Sequence, residues 1–525
     1  MLSAVDANQV IKDLREQLAD AKEQLRQKDQ IILELQAQVR ELQAQVKVLQ
    51  DMAFGKSSEK KFSKDSQDPL LPVPKKNPKK RQDSPKRRNH DHLPVREERV
   101  DLPEDQKVCP HCGTPYKHFK DVIEGETIEI EVKPHRRRVK RPCYAQGCKC
   151  CGVPKILTTP APGKLIAKGG IGTSIWIKLL LDKFLFYTPT YRSIEQMNLE
   201  GIHLAQSTIN DGMHKIMNLL KPIYDWICEK NREEEKWNAD ETIWLVQEKQ
   251  KGKETTRWYI WVFKGLLTTV YRLSKTRGSE TIANHLGTEI DGTISCDRYS
   301  AYKKYAEDSK GNISLSHCWA HVRRDFLRLG NSYPAHRQWA YEIVENEIGT
   351  LYQKYRERKK AYQNQQQNPE AYEIAQEAFS GEINRFFDKR EQELSSLLDE
   401  CRIKVIESLL KHRHSLTEVM VNPELDMDNN AAERALRGPV IGRKNYWGSM
   451  TEWSGQLAVM MFTIIQTLLL WDINPKKWLE LYFTACAQNK SKAPSNIESY
   501  LPWNMSEETL ASYTDNDIPG PSPPT

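Results

Sequence analysis

Between Ile11 and Leu49, apolar side chains recur at alternating steps of three and four: Ile11, Leu14, Leu18, Ala21, Leu25, then Ile32, Leu35, Val39, Leu42, Val46 and Leu49. A helix lying on its own globular core needs a wider apolar stripe than this seam, so the pattern predicts that residues 1–52 pair with another helix as a coiled coil. Ile, Leu or Val fills one set of positions and Leu the later members of the other, which favours a parallel two-stranded coil and hence a homodimer or higher oligomer; Lys28 interrupts the seam.

Residues 53–104 are rich in Lys, Arg, Pro, Ser and Asp and poor in apolar residues, too few to offset the entropy of ordering them, so they read as a basic flexible linker. Lys75, Lys76, Lys79, Lys80, Arg81, Lys86, Arg87 and Arg88 crowd there, although the whole chain of 525 residues carries a formal charge of only +7. Such a stretch suits a polyanion such as DNA. A chain this long exceeds what one hydrophobic core organises, so several domains are expected. The apolar runs at Ile175–Leu185 and Val459–Leu470 read as too short for a bilayer, and no leader pattern opens the sequence, so a cytoplasmic, nucleoid-associated protein with no membrane partner is expected. Six of the eleven cysteines lie between Cys109 and Cys151, which looks like one metal site rather than a disulfide framework. Cys109 and Cys112 flank a tight turn, and Cys148 with Cys151 repeats the spacing. These four are the chosen ligands of a structural Zn2+ in a module spanning 105–160, with Cys143 and Cys150 as substitutes.

Residues 161–232 show helical periodicity, broken at Pro189 and Gly201, with Ser207 as an N-cap; the arrangement is compatible with a DNA-binding helix-turn-helix. Short β-branched and aromatic runs follow at Thr242–Val246, Tyr259–Phe263, Thr268–Leu273 and Thr293–Cys296, predicting a sheet within 233–330. Helical, charged and Gln-rich sequence then fills 331–421, a further helix contains Ala431–Leu436 within 422–472, and 473–525 reads as a C-terminal tail. The fold class is thus multidomain α+β.

Two acids stand beside the strand-like runs: Asp240 just before one and Asp297 at the end of another, both expected at strand ends. Hard divalent cations take oxygen ligands, and carboxylates leaving neighbouring strands can converge on one or two of them, Mg2+ or Mn2+. A third acid is available in Asp428-Asn429-Asn430-Ala431-Ala432-Glu433-Arg434, where an Asp or Asn cap places Glu433 on the first turns of a helix; Asp428 is read mainly as that cap. Arg323, Arg324, Arg434, Arg437, Arg443 and Lys444 are candidates for contacts to DNA phosphates.

Taken in order, these motifs resemble the D-D-E transposases of the insertion sequence 66 family. Met52–Lys60 is similar to the family's Phe-Gly-x-x-Ser-Glu stretch and Cys109–Gly113 to its zinc-binding start. Asp240-Glu241-Thr242 resembles the first catalytic motif, Cys296-Asp297-Arg298-Tyr299 the second, and His317–Arg324 the Cys-Trp-Ala-His-x-Arg-Arg block. Asp428–Arg437 and Arg443-Lys444-Asn445 resemble the last. The second cysteine group is more crowded than the family's usual pair, and Gly438 stands where Arg-Pro is more usual. The resemblance implies a ribonuclease H-like mixed α/β catalytic core with a helical insertion between Asp297 and Glu433. It also implies a catalytic triad of Asp240, Asp297 and Glu433 holding Mg2+ (or Mn2+), DNA cleavage and strand transfer at transposon ends and target, and small accessory proteins encoded by the same element. The rival reading is a non-catalytic, zinc-containing DNA-binding regulator derived from a transposase.

Overall fold

The computed structural model of the chain describes residues 133–145, 156–248 and 256–513, together with Lys28 and scattered positions between 103 and 115. The expected coiled coil and basic linker, and Cys109, Cys148, Cys150 and Cys151 of the zinc module, lie outside the described residues. By contacts the chain divides into two units, 49–133 and the remainder. In the first, Cys112 is exposed and its thiol donates to the Thr114 hydroxyl at 3.3 Å. In the second, Cys143 opens an exposed hairpin of β1 (Cys143–Ala145) and β2 (Ile156–Thr158).

The centre of the larger unit is a five-stranded mixed sheet made by β3 (Lys236–Leu245), β4 (Arg257–Lys264), β5 (Thr269–Ser274), β6 (Gly292–Cys296) and β7 (Ile313–His317), in the order β5-β4-β3-β6-β7. β3, β4 and β5 pair antiparallel in sequence order. β6 lies parallel to β3 and β7 parallel to β6, each reached through a crossover helix: α4 (Glu280–Leu286) and α5 (Ser300–Asp308). Both pack on one face of the sheet, where Trp237, Phe263, Ile282, Ile294 and Tyr302 are buried together.

The other face carries the largest core. Three helices precede the sheet, α1 (Thr173–Phe184), α2 (Thr190–Leu199) and α3 (Gln206–Arg232). α3 begins at Gln206 with Ala205 as its cap and no side-chain capping bond. Ser207 is therefore not the N-cap; burial of Ile209, Met213 and Ile216 holds the helix start instead. Gly201, at φ +82°, makes the turn between α2 and α3.

Beyond β7 come α6 (Trp319–Ser332), α7 (Arg337–Glu342), a π-helical turn at Ile343–Ile348, α8 (Gly349–Gln363), α9 (Pro369–Ser396), α10 (Glu400–Lys411) and α11 (Arg413–Val421). They enclose a separate core around Trp319, Phe326, Phe379, Phe386 and Leu416. The chain then returns to the sheet as α12 (Asn430–Tyr446), α13 (Glu452–Leu470) and α14 (Pro475–Gln488), with a short α15 (Glu507–Tyr513) after them.

α13 is long and apolar enough to cross a membrane, the only such helix among the described residues, and its length corrects the reading of the Val459–Leu470 run as too short. Its apolarity is spent on the core: it packs between α3 and the outer strand β5, burying Val459, Met461, Phe462, Ile464 and Ile465. It also closes the sheet edge, because Thr463 and Thr467 hydroxyls accept from the Tyr271 and Thr269 backbone N–H groups at 2.9 and 3.2 Å. The segment expected as a C-terminal tail is not one. In α14, Trp478, Leu479, Tyr482, Phe483 and Cys486 are buried in that same core, and the Tyr482 hydroxyl donates to Leu219 O of α3 at 2.6 Å.

Candidate active site

Side chains alternate across a strand, so even-numbered residues of β3 face α12 and α13 while odd-numbered ones face α4 and α5. Asp240 is thus on the α12 side, and it sits inside β3 rather than before it. The expectation of a strand-end acid failed because Asn238 and Asp240 face the polar start of α12 and Thr242 meets Arg443 in its last turn, so this stretch lacks the apolar alternation that marks a strand. Asp297 does stand at the end of its strand, directly after Cys296. β3 and β6 pair in parallel as Lys236↔Thr293, Trp237↔Ile294 and Asn238↔Ser295. Continuing that offset brings Asp240 level with Asp297 on the adjacent strand.

Glu433 lies in the first turn of α12. The helix is pinned to β3 by Asn429, which is 2% exposed: its amide donates to Ala239 O at 2.7 Å and accepts from the Asn238 amide at 3.1 Å. Both bonds are to the two residues just before Asp240, so the start of α12 is held beside it. Further along, Pro439 lacks the N–H that would bond Ala435 O, and the Tyr271 hydroxyl takes that carbonyl instead at 2.7 Å. Gly438, the departure noted above, faces the Tyr187 hydroxyl so closely that a Cβ would stand 2.2 Å from it.

Asn429, not Asp428, is the N-cap residue of α12. Asp428 reaches across to α6, accepting from Ala320 N at 2.9 Å and from the Tyr352 hydroxyl at 2.5 Å. It therefore joins the start of α6 to the insertion, a role in which an amide would lose a charged acceptor.

Burial raises the Asp240 carboxyl from 3.8 to about 7; the neighbouring Glu241, Asp297 and Glu433 add to the shift, and the Glu241 N–H opposes it. Asp297 and Glu433 thus both stand close enough to disfavour the charged form of Asp240. Among the described residues, however, no three Asp, Glu, His or Cys side chains stand closed around one point. Each acid is engaged locally. Asp240 accepts from Glu241 N at 2.8 Å, Asp297 from Tyr299 N at 2.9 Å, and Glu433 pairs with the Arg324 guanidinium at 2.8 Å. An all-oxygen donor set whose negative charge disfavours the ionised Asp240 fits a hard divalent cation.

Sequence reasoning passed over two groups here. His321, three residues before Arg324 on α6, contacts its guanidinium at 3.4 Å; burial, then Arg324, lowers its pKa, while Asp297 and Glu433 oppose that shift. Its place in the His317–Arg324 block was the available signal. Glu241 is buried on the opposite face, where Arg277 pairs with it at 2.5 Å and the Tyr302 hydroxyl donates at 2.6 Å. It braces β3 from behind.

Of the candidate phosphate contacts, Arg434, Arg437 and Lys444 are exposed on α12 and Arg323 is half-buried on α6. Arg324 and Arg443 are otherwise engaged, the first by Glu433 and the second by Ile243 O and the Thr242 hydroxyl of β3.

Three uncharacterized proteins of Sinorhizobium fredii are similar along most of their length. y4qI is 26% identical over 426 residues, 77% of this chain and 76% of its own; y4hP is 25% identical over 453 residues, 79% and 76%; y4jD is 25% identical over 445 residues, 81% and 83%. The family model described as Transposase IS66 family matches residues 168–457, a span that covers more than half of the chain and holds Asp240, Asp297 and Glu433, and the chain belongs to that family.

Proposed function

We propose that this transposase cuts and joins DNA strands at a D-D-E site composed of Asp240, Asp297 and Glu433, in a core of the ribonuclease H-like kind. The observation that carries the reading is the register of β3 on β6, which brings Asp240 level with Asp297, with Asn429 holding the start of α12 beside them. The run of three antiparallel strands followed by two parallel ones, and the helices between β7 and α12, support the same assignment.

The three carboxylates would hold two Mg2+ (or Mn2+) ions, which when bound lower the pKa of the attacking water or 3′-hydroxyl and offset charge on the leaving oxygen. The protein's own groups do the positioning. β3 and β6 hold two acids rigidly, and Glu433 must leave Arg324 to join them, freeing that guanidinium for a phosphate oxygen. Arg323, Arg434, Arg437 and Lys444 would steady the DNA backbone. Hydrolysis of a phosphodiester at the transposon end releases a 3′-hydroxyl and leaves the oxygen of water on the flanking 5′-phosphate; that 3′-hydroxyl then attacks a target phosphodiester and displaces its 3′-oxygen, so the joining step forms one phosphodiester for the one it breaks. A Zn2+ held by Cys109, Cys112, Cys148 and Cys151 and a coiled-coil dimer through residues 1–52 complete the proposal.

The test uses Asp240→Asn, Asp297→Asn and Glu433→Gln, with Glu289→Gln, an exposed acid paired to Lys310, as control. Each triad variant is expected to keep its fold and DNA affinity and to lose strand cleavage by orders of magnitude, while the control cuts normally. Cleavage retained by any one of the three removes that residue from the site; retention by all favours the DNA-binding regulator. Cleavage without joining of a pre-cut end would leave a nuclease.

A further inference from the structure

A second polar site lies on the insertion side of Asp297. His317, the last residue of β7, is 2% exposed, and neither of its ring nitrogens has a hydrogen-bond partner. Its ring meets the His412 ring edge-on, with centroids 5.2 Å apart. His412, in the link between α10 and α11, donates from Nδ1 to Ser408 O at 2.6 Å, leaving Nε2 to accept from the Lys303 ammonium at 2.5 Å. Lys411 and Arg298 press on Lys303 with like charge. Two acids face this group: Asp325 pairs with Arg298, and Glu307 acts on Lys303 from within α5.

Three cationic side chains and two imidazoles are thus gathered from the link after β6, α5, β7 and the insertion. A metal ion is the wrong occupant, since the lone pair of His412 is taken by an ammonium and the surrounding charge is positive. The orphaned His317 is neutral there, its pKa pushed down to about 3 by burial first and then by His412, Lys303 and Arg298, so it offers one N–H to an acceptor. A group with acceptor oxygens and negative charge would satisfy all of them.

We propose that the cluster of Arg298, Lys303, His317, Lys411 and His412 binds a phosphate of the DNA backbone next to the phosphodiester that is cut. This rests on the placement of the cutting site at Asp297, whose chain neighbour Arg298 links the two. The insertion would then serve as one wall of the DNA channel.

The experiment measures binding of a random-sequence DNA duplex across a series of NaCl concentrations, without divalent metal, so that it does not depend on the triad. Lys303→Gln/Lys411→Gln is compared with wild type and with Lys304→Gln/Lys310→Gln, which removes the same charge from exposed residues paired to Asp308 and Glu289. Losing one phosphate contact should lower the slope of log affinity against log salt by about 0.9 in the first variant and leave it unchanged in the second. Equal slopes in all three proteins, or an equal drop in both variants, would overturn the proposal. Thermal melting in inorganic phosphate supplies the other arm: stabilisation that vanishes in Lys303→Gln/Lys411→Gln while the DNA slope stays at wild type would make the cluster a free-anion site. Because no cleavage is read, a triad failure leaves these outcomes intact.

Discussion

At the scale of single residues, the raised carboxyl of Asp240 links function to stability. Its folded pKa, about 7, lies above its unfolded value of 3.8, so between those pH values the folded protein holds the extra proton. Metal-free protein therefore loses stability as pH rises from about 4 to about 7 and stays at the lower level above that. Asp240→Asn should remove this slope and raise stability at pH 8 by about 1–3 kcal/mol, a range set below the full conversion of the shift to allow for water at the half-buried carboxyl. Urea unfolding at pH 5 and pH 8 in a chelator checks it, and a variant no more stable than wild type at pH 8 would contradict it. Adding Mg2+ at pH 8 should stabilise wild type and not Asp240→Asn, a readout independent of activity.

At the scale of elements, the decisive joint is the start of α12 on β3. Asn429→Ala removes a donor to Ala239 O and an acceptor from Asn238 in a buried place, which should cost about 1–3 kcal/mol. It should also lower cleavage more than DNA affinity, because Glu433 loses its fixed position; equal losses in both would mean that the joint only stabilises. The acids at this joint were legible in the sequence because they sit in short, ordered motifs. Their supports were not, since Asn429 acts on a strand some 190 positions earlier in the chain. β7 was missed although Ile313 and Leu315 alternate with serines, because a five-residue run before Cys318 is easily absorbed into the helix that follows. α14 was missed despite a readable start: Asn474 caps Lys476 N and Lys477 N, and Pro475 takes the first position. The apolar positions Trp478, Leu479, Tyr482, Phe483 and Cys486 follow at helical spacing. Asp428 misled for the opposite reason, since a cap-like residue before a helix served a different helix.

At the scale of the whole molecule, the sheet is shared between two distant parts of the chain. α13 and α14 fill the core laid down by α1, α3 and the antiparallel strands, so Trp478→Ala should cost about 3–5 kcal/mol, and a chain ending at Asn474 should fail to give a cooperative thermal transition. A soluble, cooperatively melting fragment would show that the first part stands alone. The threonine bonds of α13 to β5 carry this dependence into biosynthesis. A ribosome must complete almost the whole polypeptide before the outer strand is covered, and until then the nascent sheet presents an open edge and an apolar face. Premature stop codons in degenerating copies of the gene should therefore yield aggregating fragments that are cleared, rather than stable DNA-bound products competing with the intact enzyme.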